Sequence, residues 1–84
     1  MSRRFSDMRY YFHVREGDAI TRDIEGIDLP SDRDALEEGR EAARQMVAEM
    51  IRNQEAIDGK TFEISDASGK VLMSIPFLSV IIID

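Results

Sequence analysis

The chain has no cysteine, no tryptophan, a single histidine and only two prolines. Without cysteine there can be no disulfide, no thiol nucleophile and no Cys-ligated zinc or iron–sulfur centre. One histidine leaves a zinc site short of its usual three or four ligands. No Ser sits in a G-x-S-x-G nucleophile context. Glycines that could cradle a phosphate are missing before the helical region, which is preceded by Leu29-Pro30-Ser31. Positive charge is scarce: 11 Lys and Arg against 17 Asp and Glu give a net charge of −6. Phosphate neutralisation supplies most nucleic-acid affinity, so a nucleic-acid ligand is not expected. The basic residues Arg3, Arg4, Arg9 and Arg15 read as a solvated strand edge. The apolar run Val71–Ile83 is interrupted by Ser74, Pro76 and Ser79 and falls short of the ~20 residues a membrane span needs. No secretory pattern follows Arg3-Arg4, and the expected setting is cytoplasmic. No catalytic, metal-ligating or cofactor-binding constellation emerges, and the expected class is non-enzymatic.

What remains is one small domain of 84 residues. A chain of this size buries roughly 60–65% of its unfolded surface, and such domains often gain stability by self-association. The expected organisation is a leader over 1–7, a folded unit over 8–77 and an apolar tail over 78–84.

Strict alternation marks Met8–Arg15 as a half-buried strand. Met8, Tyr10, Phe12 and Val14 share one face; Arg9, Tyr11, His13 and Arg15 share the other. Glu16-Gly17-Asp18 supplies a turn and Ala19–Asp23 the returning strand. Asp23-Ile24-Glu25-Gly26 reads as a solvated acidic bend, because its spacing does not match a calcium loop. Ile27 and Leu29 lead back to the core before Pro30. Ser31 is a helix N-cap, with Asp32 and Asp34 in the first turn. An apolar stripe through Leu36, Ala43, Val47, Met50 and Ile51 predicts an amphipathic helix from about Asp32 to Asn53. Gly39 lies on that stripe and implies close approach of helix to sheet. Lys60–Asp66 and Val71–Phe77 complete a second hairpin around a type I turn at Asp66–Gly69. Pro76 cannot donate to a ladder, so the last strand is free on one side there or ends near it.

The predicted fold is α+β: a two-layer sandwich in the order β-β-α-β-β, one four-stranded sheet packed on a single long helix. Either Met8–Arg15 and Val71–Phe77 pair at its centre or Met8–Arg15 neighbours Lys60–Asp66; the richer apolar faces favour the first. The tail Val80-Ile81-Ile82-Ile83 must be paired or buried, either as a short fifth strand or against a second chain. One helix leaves the other sheet face open, carrying Tyr11, His13 and Arg15, with His13 expected at the surface. The candidate interaction surface is therefore Tyr11, His13, Arg15, Val80, Ile81, Ile82 and Ile83. It belongs to a small acidic interaction module that self-associates, a dimer being favoured, with room for another protein partner. A ligand on the Tyr11, His13 and Arg15 face is a further possibility. RNA stacking there would need two aromatic consensus strands and a second helix, which this sequence lacks.

The segments Arg9–Asp18, Asp23-x-Glu25-Gly26-x-x-Leu29-Pro30 and Gly69-Lys70-Val71-Leu72 leading to Ile75-Pro76-Phe77 resemble a family of short proteins from rhizobia and related alphaproteobacteria, classed as a domain of unknown function. The resemblance spans about Met8–Phe77. It implies the same order of elements and a bacterial setting, and carries no catalytic residues onto this chain. Leu29-Pro30, Ala35-Leu36 and Glu41-Ala42 are also similar to the HicB-type antitoxins, which would imply a regulatory protein that binds a basic protein partner. The sequence shows neither the additional strand that family has before its helix nor a separate DNA-binding segment.

Overall fold

The computed structural model describes residues 7–81. Nine residues, Met8–Glu16, form β1. A two-residue turn with Gly17 at φ 61° leads into β2, Ala19–Thr21. Glycine at the first turn position suits the twist of the flanking strands. After the Arg22–Gly26 loop comes β3, Ile27–Leu29. The helix α1 spans Asp32–Arg52, and β4 and β5 span Lys60–Ser65 and Val71–Pro76. A 3₁₀ turn, Phe77–Val80, closes the described chain.

The sheet is antiparallel and has five strands, in the order β2-β1-β4-β5 with β3 beside β1. β1 is its hub. One edge pairs with β4 from Tyr11 to Glu16. Its other edge is shared, with Val14–Glu16 facing β2 and Met8–Tyr10 facing β3. The fold is thus the α+β sheet-on-helix expected, with one strand more. That strand is Ile27–Leu29, read above only as a return to the core; three residues are too few for periodicity to register.

Two further expectations are corrected. The central pair is β1 and β4, not Met8–Arg15 with Val71–Phe77. β4 buries Phe62, Ile64 and Ser65, whereas β5 exposes Val71 and ends at Pro76, as befits an edge. The segment after β5 does not extend as a strand within the described residues. Past Pro76 the backbone tightens into the 3₁₀ turn, which brings residues three apart onto one side. Phe77 and Val80 both point into the core. Ile82 and Ile83, and the expected leader apart from Asp7, lie outside the described residues.

The core lies between the sheet and α1. Tyr10, Phe62, Ile64 and Ile75 come from the strands, Phe77 and Val80 from the 3₁₀ turn, and Ala35, Ala43, Val47 and Met50 from the helix. Phe62 packs against Phe77 with ring centroids 5.1 Å apart, and Phe12 meets Phe62 edge-on at 6.2 Å. The helix begins where its cap dictates: Ser31 Oγ accepts from Asp34 N–H and donates to Asp34 Oδ2. Its buried face, Ala35–Gly39–Ala43–Val47, is nearly all small, so its axis rides close to the sheet. A Cβ at Gly39 would sit 2.7 Å from Ile75 Cδ1 and 2.9 Å from Ile64 Cδ1. Overpacking costs about 1–3 kcal/mol, against a helix-propensity gain of about 1. Gly39→Ala is therefore expected to lower stability by about 1 kcal/mol, or roughly 5 °C in Tm, in a thermal melt.

Tyr10 ties the sheet to the helix start. It is fully buried, and its hydroxyl donates to Asp32 Oδ1 at 2.7 Å. Burial, the bond to Asp32 and the charges of Asp32 and Asp34 push its phenol up to about 12. The neutral phenol is the form the fold holds. Its contribution is complete below the unfolded value of about 10 and is lost as pH rises through about 12. Urea titrations between pH 9 and 12 should show a steeper alkaline loss for the wild type than for Tyr10→Phe. At pH 7 that variant should be about 1 kcal/mol less stable for want of the hydrogen bond.

Candidate functional site

The open face of the sheet carries Tyr11, His13 and Arg15 from β1 and Glu63 and Ser65 from β4. Alternation places them there, and the helix covers the opposite face. The gap between β2 and β3 decides what becomes of this face. Over that gap the middle of β1 has no strand beside it, and the Asp23 carboxylate takes the place of one. Its Oδ2 accepts from Phe12 N–H at 3.1 Å, and its Oδ1 accepts from Glu25 N–H and Gly26 N–H at 3.1 and 3.2 Å. Gly26 completes the loop at φ 70°, with the space for a Cβ already taken by Arg9, the carbonyl oxygen of Tyr10 and the ring of Tyr11. Arg9 clasps the loop from outside, pairing with Asp28 at 2.7 Å and donating to Glu25 O. Asp23-Ile24-Glu25-Gly26 is thus a bend, as expected, but one built around a half-buried carboxylate. Ile24, at its tip, is 86% exposed.

This loop covers His13, which is 8% exposed where the sequence placed it at the surface. Alternation assigned His13 to the correct face and gave no sign of the loop above it. Asp23 N–H donates to Nδ1 at 3.0 Å, and Nε2 lies 3.0 Å from Ser65 Oγ. A ring nitrogen that accepts carries no proton, so Nδ1 is bare and the imidazole proton sits on Nε2. Nε2–H therefore donates to Ser65 Oγ. Activation of a serine nucleophile needs the reverse, with Nε2 accepting from the hydroxyl and Nδ1–H donating to an acid. With Nε2–H donating, the Ser65 hydroxyl proton is left free.

Tyr11 stacks on His13 with ring centroids 6.3 Å apart and planes 11° from parallel. Arg15 pairs with Glu63 at 2.5 Å, so its charge is already partnered. Between the Arg22–Gly26 loop and the Asp66–Gly69 turn lies a hollow of about 210 Å³, lined by Tyr11, His13, Arg22, Asp23, Ser65 and Asp66 among others. The turn has the expected Gly69 N–H to Asp66 O bond at 3.0 Å. Asp66 Oδ1 also accepts from Ser68 N–H, Ser68 Oγ–H and Lys70 N–H. The Ser68 hydroxyl leads the causes that hold Asp66 below the usual carboxylate range. Burial opposes ionisation of Asp23, yet the backbone N–H donors of Phe12, Gly26 and Glu25 outweigh it and lower that group too.

The residues named from sequence thus divide. Tyr11 and His13 meet at the hollow, while Arg15 stands beside it in an ion pair. Val80 is 7% exposed within its own core, and Ile81 is partly buried against it. Arg22, Asp23, Ser65 and Asp66 were missed. Asp followed two residues later by Glu-Gly is the one local signal, that of an Asx-type bend, that points to Asp23. Nothing local marks Ser65, which reaches Tyr11 only through the β1–β4 register.

Helix-backed sheet and ordered loop together define a small α+β domain with one open, partly roofed sheet face. The chain belongs to the family described as domain of unknown function (DUF6894), whose model matches residues 9–79. That span is nearly the one over which the sequence resemblance was drawn. Neither the curated proteins nor the solved structures returned a match.

Asp23→Ala is expected to cost about 2–3 kcal/mol, since it strands three N–H donors of a charge-assisted network. Asp23→Asn should cost less. The folded Asp23 binds its proton more weakly than the unfolded one. Its stabilisation is therefore present above about pH 4 and is lost as pH falls through the lowered folded value. Denaturant titrations should show the gap between wild type and Asp23→Asn closing on acidification.

Proposed function

We propose that the domain is a non-enzymatic protein-interaction module that self-associates through the free edge of β5. The observation that carries this reading is the chemistry of that edge. Among the described residues β5 pairs with β4 alone, and its six residues, Val71–Pro76, include no charge. Val71 is 49% exposed and Leu78, just beyond the strand, 55%. Natural sheets blunt such edges with charge, shortness or proline. The opposite edge has that protection, with two three-residue strands and the Arg9–Asp28 pair. β5 has only Pro76 at its end. Two copies meeting edge to edge about a twofold axis would pair the unspent backbone groups of Val71–Ile75 and cover both apolar side chains.

A second reading, an antitoxin-like regulator that takes a basic protein partner, has its own support. β3 supplies the additional strand before the helix that the HicB-type resemblance called for. Beside it a hollow of about 380 Å³ is lined by Leu29, Pro30, Asp34, Glu37, Glu38 and Glu41, with Arg44 as its only basic residue. Such a surface suits a cationic segment.

Native mass spectrometry of the protein from its own host, with sedimentation across concentration, tests both. A homodimer is expected, weakened at least roughly tenfold by Val71→Lys combined with Leu78→Lys, both exposed positions. A monomer up to about 1 mM would overturn the first reading. A salt-sensitive complex with a second, basic protein would establish the other.

A further inference from the structure

We propose that the hollow on the open sheet face binds a primary carboxamide group. It lies on a different face from the acidic helix surface and does not use the β5 edge, so it is independent of both readings above.

The lining supplies donors and an acceptor that the described residues leave unspent. Ser65 is 2% exposed and lines the hollow. Its oxygen takes the His13 Nε2–H, and its own proton has no acceptor among the described residues. A buried hydroxyl in that condition is a donor awaiting a partner. Asp66 engages Oδ1 three times, while Oδ2 has no partner among the described residues. Arg22 also lines the hollow and has no ion pair among the described residues, so its guanidinium adds donors.

These groups discriminate between ligands. A carboxylate has acceptors only, and would face the ionised Asp23 and Asp66. An ammonium could donate to Asp66, but it offers no acceptor to the Ser65 proton and would face the Arg22 guanidinium. A primary amide has a carbonyl for Ser65 and Arg22 and an NH₂ for Asp66. It is planar and neutral, and Tyr11, held by its stack on His13, offers a flat wall. About 210 Å³ admits a group the size of one side chain and is below the usual range for larger ligands. The amide can come from a free small molecule or from Asn or Gln of a polypeptide.

The test is ¹H–¹⁵N NMR of the full chain titrated with acetamide, acetate, methylammonium and N-acetylglutamine methylamide. Acetamide should give saturable shifts at Tyr11, Arg22, Ser65 and Gly69, and the two ions should not. Ser65→Ala should weaken acetamide roughly tenfold, and Arg22→Gln roughly threefold. If Ser65→Ala fails to fold, Arg22→Gln decides alone, since the Arg22 side chain makes no hydrogen bond or ion pair among the described residues. A capped glutamine binding much tighter than acetamide identifies a polypeptide source; equal binding identifies a free amide. The proposal fails if acetamide leaves these residues unmoved, if either ion binds as tightly, or if the folded variants bind acetamide like the wild type.

Discussion

Nine residues of β1 run through the middle of the sheet, and both edges of that strand need partners. β4 satisfies one edge from Tyr11 to Glu16. The other is satisfied in three pieces: β2, the Asp23 carboxylate and β3. A buried backbone N–H left unpaired costs about as much as a lost hydrogen bond, so the gap opposite Phe12 has to be filled. Asp23 fills it and in doing so turns the chain, caps Glu25 and Gly26, and directs its own N–H at His13. The β2–β3 connection, the burial of His13 and the shape of the hollow all follow from that one carboxylate.

The opposite face depends on size rather than charge. With Ala35, Gly39 and Ala43 toward the sheet, α1 approaches closely enough for one layer of Phe62, Ile64, Ile75 and Phe77 to fill the space beneath it. Tyr10 fastens the N-terminal end of this interface through Asp32. The 3₁₀ turn places Phe77 and Val80 in the core, so that part of a segment expected to pair as a fifth strand or against a second chain is buried within the domain itself.

The two sheet faces and the two sheet edges therefore carry different chemistry. The helix face is sealed. The open face is partly roofed and polar, with Ser65 and Asp66 holding unspent hydrogen-bonding groups among the described residues. One edge is short and charged; the other, β5, is uncharged and apolar. For the proposed module, this asymmetry separates an assembly surface on β5 from a ligand-sized site on the open face, and neither obstructs the other.

Much of the fold was legible before any coordinates. The alternation of Met8–Arg15, the Ser31 cap, the stripe on Asp32–Arg52 and the Asp66–Gly69 turn are local signals, set by side-chain period and hydrogen bonding within a few residues. Local rules read them correctly, save that Ile51 of the expected stripe is exposed, and the assignment of Tyr11 and His13 to one face, of Gly39 to a close contact and of Pro76 to a strand end came with them. Tertiary structure alone decided that Ile27–Leu29 is a strand, that β4 rather than β5 sits beside β1, that His13 is roofed and that Val80 is buried. Each depends on groups far apart in sequence: Asp23 with Phe12, His13 with Ser65 fifty-two residues away, Phe77 with Phe62. No window of local periodicity contains both members of such a pair, so their energies enter only when the chain closes on itself.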